Sequence, residues 1–555
     1  MRLTRNNITR FSKNPVNMDI PRTKFSMNSK HLTTFNSGKL IPFFFQECLP
    51  GDTFVMDTNF MLRMSTPVYP VADTAYFDYY YFFVPNRLVW SNWREFMGEN
   101  PNGAWTTNKV TRRVPQMFSP CVSHSNSDYL GLPLSSDPYN RTCLPHRALR
   151  LIWNDWFRST ALQDPLLVNM GDTEPEYEVG PTNEDLLPVC RFPDFFSTCL
   201  PAPQYGEAVQ IGLIDDLPIS FGDKHDQYGS FVSLVEYDTG YSPNPDSYLS
   251  TKLVDDVGGD LTKQPVGMYT DGVGDLSNGM GYDRLLSIDN AYLKANNAVF
   301  TSVNDLRLAF QVQKYQEALA RGGSRYVEII QSLFNVQSPD ARLQRPEYIG
   351  GGRQIVDMTQ VVQTSATDPN STPQGNVSGL SKTMSSKHDF SYSCLEHGMI
   401  IGVCCVRPVH SYQQGLERYW FKRDTLDFYV PTLANIGEQP VYVKELYYNP
   451  LDESPDDVFG YQEAWADYRY RRSYVSGDMR SNAPNGSLDA WHYADYYGIK
   501  PTLSDAWIEE SPALIDRTLA VESNLADQFI CDIYFNLSGV RPLPAYSIPG
   551  LIDHH

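Results

Sequence analysis

The stretches that read most clearly as buried β-strands lie more than 300 residues apart in this chain. Phe77 to Val84 (FDYYYFFV) and Met399 to Val406 (MIIGVCCV) are bulky apolar runs closed by Pro85 and by Arg407-Pro408, the pattern of strands buried on both faces. After Leu49-Pro50-Gly51-Asp52, a type II turn signal, the residues alternate. Phe54, Met56, Thr58, Phe60, Leu62 and Met64 share one face, which predicts a strand with one better-buried side. Val441 to Tyr448 and Ile530 to Leu537 add two more. With so much chain between the early and late strands, the sheets must close by long-range pairing. The 39 prolines and 36 glycines together outnumber the 65 acidic residues, which favours turns and irregular connections over a helical bundle. The fold class expected is mainly β.

Helices are expected as additions to that framework. The segments are Arg87 to Met97, Pro145 to Arg158 with Leu149, Ile152, Trp153 and Trp156 on one face, Ser302 to Ala320, and Ser324 to Phe334. The third opens on a capping pattern, Ser302-Val303-Asn304-Asp305, and ends at Gly322-Gly323. With 35 tyrosines, 28 phenylalanines and 9 tryptophans the chain is far too aromatic to be disordered. No apolar run reaches the length of a signal peptide core or a membrane span. Nine cysteines without a C-x-x-C pair read as buried, reduced thiols, which fits assembly in a reducing cytosol.

The net charge of −20 is unevenly spread. Residues 1–30 hold Arg2, Arg5, Arg10, Lys13, Arg22, Lys24 and Lys30 against Asp19 alone, a net +6, and residues 1–34 form a basic arm. Residues 35–555 make one β domain. Within it, residues 202–300 carry 15 acidic against 5 basic residues and 12 glycines, too long a stretch for a plain connection and better read as an exposed insertion. Thr364 to Ser386 is a second expected loop.

No nucleotide-binding P-loop, H-E-x-x-H or G-x-S-x-G motif is present, and no catalytic residue is assigned. Gly350-Gly351-Gly352-Arg353 reads as a turn, since it lacks the lysine and the strand-turn-helix context of a phosphate loop. His388, Cys394, His397, Cys404, Cys405 and His410 form the densest soft-ligand set. Cys404 and Cys405 are adjacent in a strand, however, so they point to opposite faces, and buried structural thiols are the better reading; no metal or cofactor is assigned. Paired acids such as Asp215-Asp216, Asp255-Asp256 and Asp456-Asp457 are ordinary in acidic loops. They leave room for a divalent cation at a subunit contact, but no spacing matches an EF-hand.

Two segments have the chemistry of nucleic-acid contact. In the arm, Arg2, Arg5, Arg10 and Lys13 form a flexible polycation suited to phosphates, the alternatives being a solvated terminus or an intersubunit strap. In Trp465 to Arg472, aromatics interleave with Arg469, Arg471 and Arg472, as a single-strand stacking surface requires. A packed, hydrogen-bonded subunit contact fits the same pattern.

Several blocks taken together resemble the major capsid protein family of the gokushovirus branch of the Microviridae, small single-stranded DNA bacteriophages. They are Thr33-Thr-Phe-Asn-Ser-Gly-Lys-Leu-Ile-Pro42, Leu49-Pro-Gly-Asp-Thr-Phe54, Arg63-Met-Ser-Thr-Pro67, Tyr80 to Trp90 and Phe96-Met-Gly-Glu-Asn100. Later ones are Leu151-Ile-Trp-Asn-Asp-Trp-Phe-Arg158, Arg307 to Lys314, Ser338 to Tyr348, Gly460-Tyr-Gln-Glu-Ala-Trp465 and Pro549-Gly-Leu-Ile-Asp553. The matches run in order from about residue 31 to the C-terminus and leave out mainly the arm and residues 202–300.

The resemblance implies a viral eight-stranded antiparallel jelly roll with large loop and helical insertions. It also implies a T=1 icosahedral shell around a circular single-stranded DNA genome, assembled in the host bacterial cytoplasm and found in the virion. The implied partners are further copies of the chain, a small basic DNA-packaging protein, an internal scaffolding protein, a pilot protein and a bacterial surface receptor. Residues 202–300 fall where the family carries a variable insertion protruding near the threefold axis. This makes Asp255, Asp256, Asp260, Asp271 and Asp275 host-facing candidates. Two competing readings are a carbohydrate-binding or carbohydrate-cleaving β-sandwich and a monomeric receptor binder.

Overall fold

The computed structural model describes residues 21–546 apart from 100–111, 174–180, 365–374, most of 207–302 and a few single positions. Residues 1–206 with 316–555 form one compact unit and residues 207–315 a second. In the second, Phe231–Leu234, Leu249–Val254 and Val266–Met268 form a small antiparallel sheet, and Ser220–Phe221 pairs with Ala291–Tyr292.

The first unit is built on two antiparallel sheets. Its strands are β1 (Thr23–Ser26), β2 (Ser29–Phe35), β3 (Lys39–Cys48), β4 (Thr53–Met64), β5 (Ala75–Pro85), β6 (Glu347–Ile355), β7 (Thr383–Ser393), β8 (Gly398–Pro408) and β9 (Phe529–Arg541). One sheet runs β1-β9-β4-β7, with β2 also pairing to β9. The other runs β6-β5-β8-β3 and ends on the short strand Leu187–Pro188. The C-terminal β9 therefore lies between β2 and β4, with Phe535 opposite Thr58 on one side and Ser29 on the other.

Side-chain alternation determines what each sheet buries. Along β4, Phe54, Met56, Thr58, Phe60, Leu62 and Met64 point inward, and Phe529, Cys531, Ile533, Phe535 and Leu537 do the same on β9. They meet Phe77, Tyr79, Tyr81 and Phe83 of β5 and Ile400 and Cys404 of β8 in a core rich in aromatic contacts, such as Phe60 on Phe77 at 4.8 Å and Phe44 on Phe535 at 4.9 Å. The opposite face of β5 and β8 is buried too. There Phe82, Val84, Met399, Ile401, Val403 and Cys405 pack beneath Trp90 and beneath Leu149, Ile152 and Trp153. Hence β5 and β8 are apolar on both faces save for Asp78 and Arg407, whereas β4 alternates: the second sheet is covered on both faces and the first on one. Leu32, Met384, Ile530 and Tyr534 remain exposed on the other side of the first sheet.

The helices follow the sequence signals with adjustments at their ends. Helix α1 (Leu144–Ile152) passes into a π-helical turn, Trp153–Phe157, instead of remaining regular to Arg158. The expected helix over Arg87 to Met97 is two short turns, Asn86–Val89 and Trp93–Phe96. Helices α2 (Val303–Gly322) and α3 (Tyr326–Phe334) lie where expected. Among the described residues no helix is long and apolar enough to cross a membrane.

Three local expectations need correction. Gly350, Gly351 and Gly352 are not a turn but the middle of β6, where the edges of the two sheets meet. A Cβ on Gly351, at φ +145°, would lie 2.2 Å from the Tyr79 carbonyl oxygen, and one on Gly350 would lie 2.4 Å from that of Asp389. These glycines allow two backbones to approach closely. Thr364 to Ser386 is not loop throughout: Val377–Ser381 pairs with Met358–Val362, and β7 starts at Thr383. Its described polar residues are partly exposed and partly buried, with Ser381 and Thr383 buried and bonded to the Asp357 backbone. Val441 to Tyr448 is a strand only through Tyr442, after which Glu445 accepts from the Tyr442 amide at 3.0 Å and starts a helical turn, Val443–Leu446.

Candidate nucleic-acid and subunit contact surfaces

The expected contact residues divide sharply. Arg2, Arg5, Arg10 and Lys13 lie outside the described residues, as do Asp255, Asp256, Asp260, Asp271 and Asp275. Arg469, Arg471 and Arg472 are described, and they differ in what they hold. Trp465 leaves the strand Val458–Glu463 in a left-handed conformation, φ +65°, and its ring is buried. The indole Nε1 donates to the Leu433 carbonyl at 2.8 Å, and Tyr429 meets the ring edge-on at 5.6 Å. The interleaved segment is therefore not one continuous stacking surface. Trp465 belongs to the interior, while Tyr468 and Tyr470 face out. Lys422 lies 4.2 Å from the Tyr468 ring and pairs with Asp467 at 2.8 Å.

Arg469 pairs with Glu463 at 3.1 Å and donates to the Ala464 carbonyl at 2.7 Å, leaving about half its side chain exposed. Arg471 is exposed. Arg472 is committed inward: it donates to the carbonyls of Gly415 at 2.9 Å and Glu445 at 3.1 Å and to the Glu417 carboxylate at 3.3 Å. Burial pulls its guanidinium below the ordinary arginine value, against the attraction of Glu417. Gly415 makes this anchor possible, since a Cβ there would lie 1.9 Å from the Glu445 carbonyl oxygen.

Arg472 also forms one wall of a cleft of about 570 Å³. Trp420, Tyr448, Arg480, Gln414 and Asn482 line it as well. Trp420 sits on a short 3₁₀ turn, Arg418–Phe421, with 68% of its surface exposed. No motif in the sequence announces this cleft, because its residues come from segments around 415, 448 and 480.

The soft-ligand set does not converge. His388 pairs with Asp57 at 2.7 Å on the outer face of the first sheet, and His397 packs edge-on to Trp93. Cys404 faces the core between the sheets and Cys405 the helix-covered core, as expected for adjacent strand residues. Burial pushes the Cys404 thiol well up and that of Cys405 up to about 11, so both are unreactive near neutral pH. All nine cysteines are thiols, eight buried and Cys190 half-buried. Asp456 and Asp457 each have a lysine, Lys444 and Lys500 respectively, and do not form a facing acid pair. Among the described residues no group of three His, Cys, Asp or Glu is arranged to hold a metal ion.

His410 has a structural position that its sequence context does not signal. Its Nδ1 lies 2.8 Å from Asp495 and its Nε2 2.8 Å from Glu510, and Arg191 reaches the same Asp495 oxygen at 3.2 Å. Burial alone would lower the ring's pKa, but the two carboxylates outweigh it and push it up to about 10. The network ties the end of β8 to chain near residues 191, 495 and 510. A comparable clasp holds Asp78 of β5 between Arg353 of β6 and Arg407 of β8, both at 2.6 Å.

Exposed aromatic and basic side chains around Trp420, Tyr468 and Arg471 suit contacts with other macromolecules. The family model for capsid protein (F protein) matches residues 15–551. Capsid protein VP1 of Chlamydia phage 1 is 37% identical over 592 aligned positions, covering 98% of this chain and 97% of that one. Capsid protein VP1 of Bdellovibrio phage phiMH2K is 35% identical, with 95% of each chain covered, and that of Spiroplasma virus 4 is 34% identical, with 96% of each covered. This chain belongs to the F protein family of bacteriophage capsid proteins, in the Microviridae, and is a major capsid protein, a structural component of the virion and not an enzyme.

Proposed function

We propose that this capsid protein is a jelly-roll subunit that assembles into a T=1 icosahedral shell around a circular single-stranded DNA genome. The observation that carries the reading is the strand order. The eight strands β2 to β9 divide into β2-β9-β4-β7 and β3-β8-β5-β6, two antiparallel four-stranded sets facing each other across an aromatic core. Successive strands cross from one set to the other at every step except β5 to β6, which supports the double Greek-key winding of a jelly roll. Closure through such long-range pairs explains why the first and last strands are neighbours.

In this reading the wall is the sandwich, which takes in the expected arm from Thr23 on as β1 and β2, the chain before it faces inward, and residues 202–300 protrude outward near the threefold axis and meet the host receptor. An arm of net +6 cannot neutralise a genome, so a small basic DNA-packaging protein acts beside it. An internal scaffolding protein and a pilot protein complete the set. The buried thiols support assembly in the reducing cytoplasm of the host bacterium.

A cryo-electron microscopy reconstruction of DNA-filled particles tests the arrangement. It is expected to place residues 202–300 on the outside and the arm against the genome. Density for 202–300 inside the shell, or the arm outside it, would contradict the reading.

A further inference from the structure

We infer that the cleft between Trp420 and Arg480 receives one nucleotide of single-stranded DNA, the base stacking on Trp420 and the phosphate pairing with Arg480. The inference rests on the reading that this protein contacts the packaged strand. Its basis is the contrast between what the cleft has already satisfied and what it leaves open.

The walls are fixed. Gln414 donates to the Tyr497 carbonyl at 2.8 Å and accepts from the Tyr497 amide at 2.6 Å, and Gln413 is held equally by Ser481 and the Asp495 carbonyl. Arg472 pairs with Glu417, itself part of the lining, at 3.3 Å. Arg480 is exposed and has no acidic partner among the described residues. Trp420, mostly exposed, offers a ring face, and the half-exposed Tyr448 and exposed Asn482 add hydrogen-bonding edges. An exposed indole and an exposed guanidinium on one cleft match a planar base carrying a phosphate, and the volume suits a ligand of that size.

The same features disfavour other occupants. A purely apolar anchor from a neighbouring subunit would leave the still open amide and guanidinium groups of this lining without partners, and the lining's one carboxylate, Glu417, pairs with Arg472. A neutral sugar has no use for the two arginines that a chain of net charge −20 places here.

The test uses the full-length protein with a fluorescein-labelled oligothymidylate of about 12 nucleotides, read by anisotropy across a salt series, for wild type, Trp420→Leu, Trp420→Phe and Arg480→Gln. Trp420→Leu and Arg480→Gln are expected to weaken binding about tenfold each with unchanged melting temperature, and Trp420→Phe to retain most of it. Arg480→Gln should also reduce the salt slope by about one. Ultraviolet cross-linking should map the nucleotide to the peptide containing Trp420. Unchanged affinity in both variants, with cross-links elsewhere, overturns the cleft assignment and leaves genome contact standing. Loss of closed particles with affinity intact overturns it in favour of a subunit contact. Failure of the wild type to bind the oligonucleotide overturns both readings.

Discussion

Replacing His410 with glutamine is expected to be among the most destabilising single changes in the molecule. The imidazole side chain is 2% exposed and the carboxylate-bearing side chains of Asp495 and Glu510 are 5% and 0% exposed, so three ionisable groups share one dry site. Removal leaves Asp495 with Arg191 and strands Glu510, whose second oxygen, Oε1, is already buried without a hydrogen bond. Breaking a buried pair of this kind costs about 3–5 kcal/mol. The pKa gives a consistent figure. A ring held at about 10 against an ordinary value near 6.5 prefers its charged form in the folded state by about 5 kcal/mol.

The sign of the pH dependence follows. Because the folded value is raised, the stabilisation is complete below about pH 6.5 and is lost progressively as pH rises towards about 10. Asp495 works in the other direction. Burial alone would raise its pKa, but the charges of His410 and Arg191 lower it, so its share is lost as pH falls through the carboxylate range. Urea unfolding of unassembled protein at one fixed concentration, from pH 6 to 10, measures the His410 effect, since that of Asp495 falls below this range. Wild type should lose several kcal/mol across that range, and His410→Gln should begin lower and slope less. A variant within about 1 kcal/mol of wild type, or wild-type stability rising with pH, would refute the reasoning.

Three further outcomes are expected. Trp90→Ala empties a fully buried site under α1 and removes a 2.8 Å hydrogen bond to Asp172, so chemical denaturation should show a loss of about 3–5 kcal/mol; less than 1 would mean that the helix-covered core is not close-packed. Gly351→Ala forces a methyl group onto the Tyr79 carbonyl at a positive φ, and soluble yield and melting temperature should both fall, whereas an unaffected melting temperature would mean that β6 does not approach β5 as described. Deleting residues 202–300 should leave the remaining chain soluble and folded by circular dichroism while abolishing host attachment; insoluble protein would show that the segment supports the fold.

The legible part of this fold came from strand periodicity. Continuous apolar runs at Phe77–Val84 and Met399–Val406 marked two-sided burial, and alternation at Phe54–Met64 marked one-sided burial, because the number of covered faces is written directly into which positions are apolar. The opposed placement of Cys404 and Cys405 followed from the same geometry. Features that depend on partners distant in sequence were not legible. Gly350 to Gly352 resembled a turn because the approach of Tyr79 and Asp389 that demands them is tertiary. His410 resembled a stray ligand because its partners lie 219, 85 and 100 positions away. Trp465 resembled a stacking residue until the Leu433 carbonyl claimed its indole. The cleft beside Arg472 was invisible for the same reason, although Arg472 itself had been singled out.

The most direct test of the central claim is the mass and shape of the assembled protein. Sedimentation and negative-stain electron microscopy of the full chain, co-expressed with the scaffolding protein proposed for it at near-physiological salt, should show closed spherical particles of uniform size. A monomer that persists under those conditions would contradict the shell-forming account.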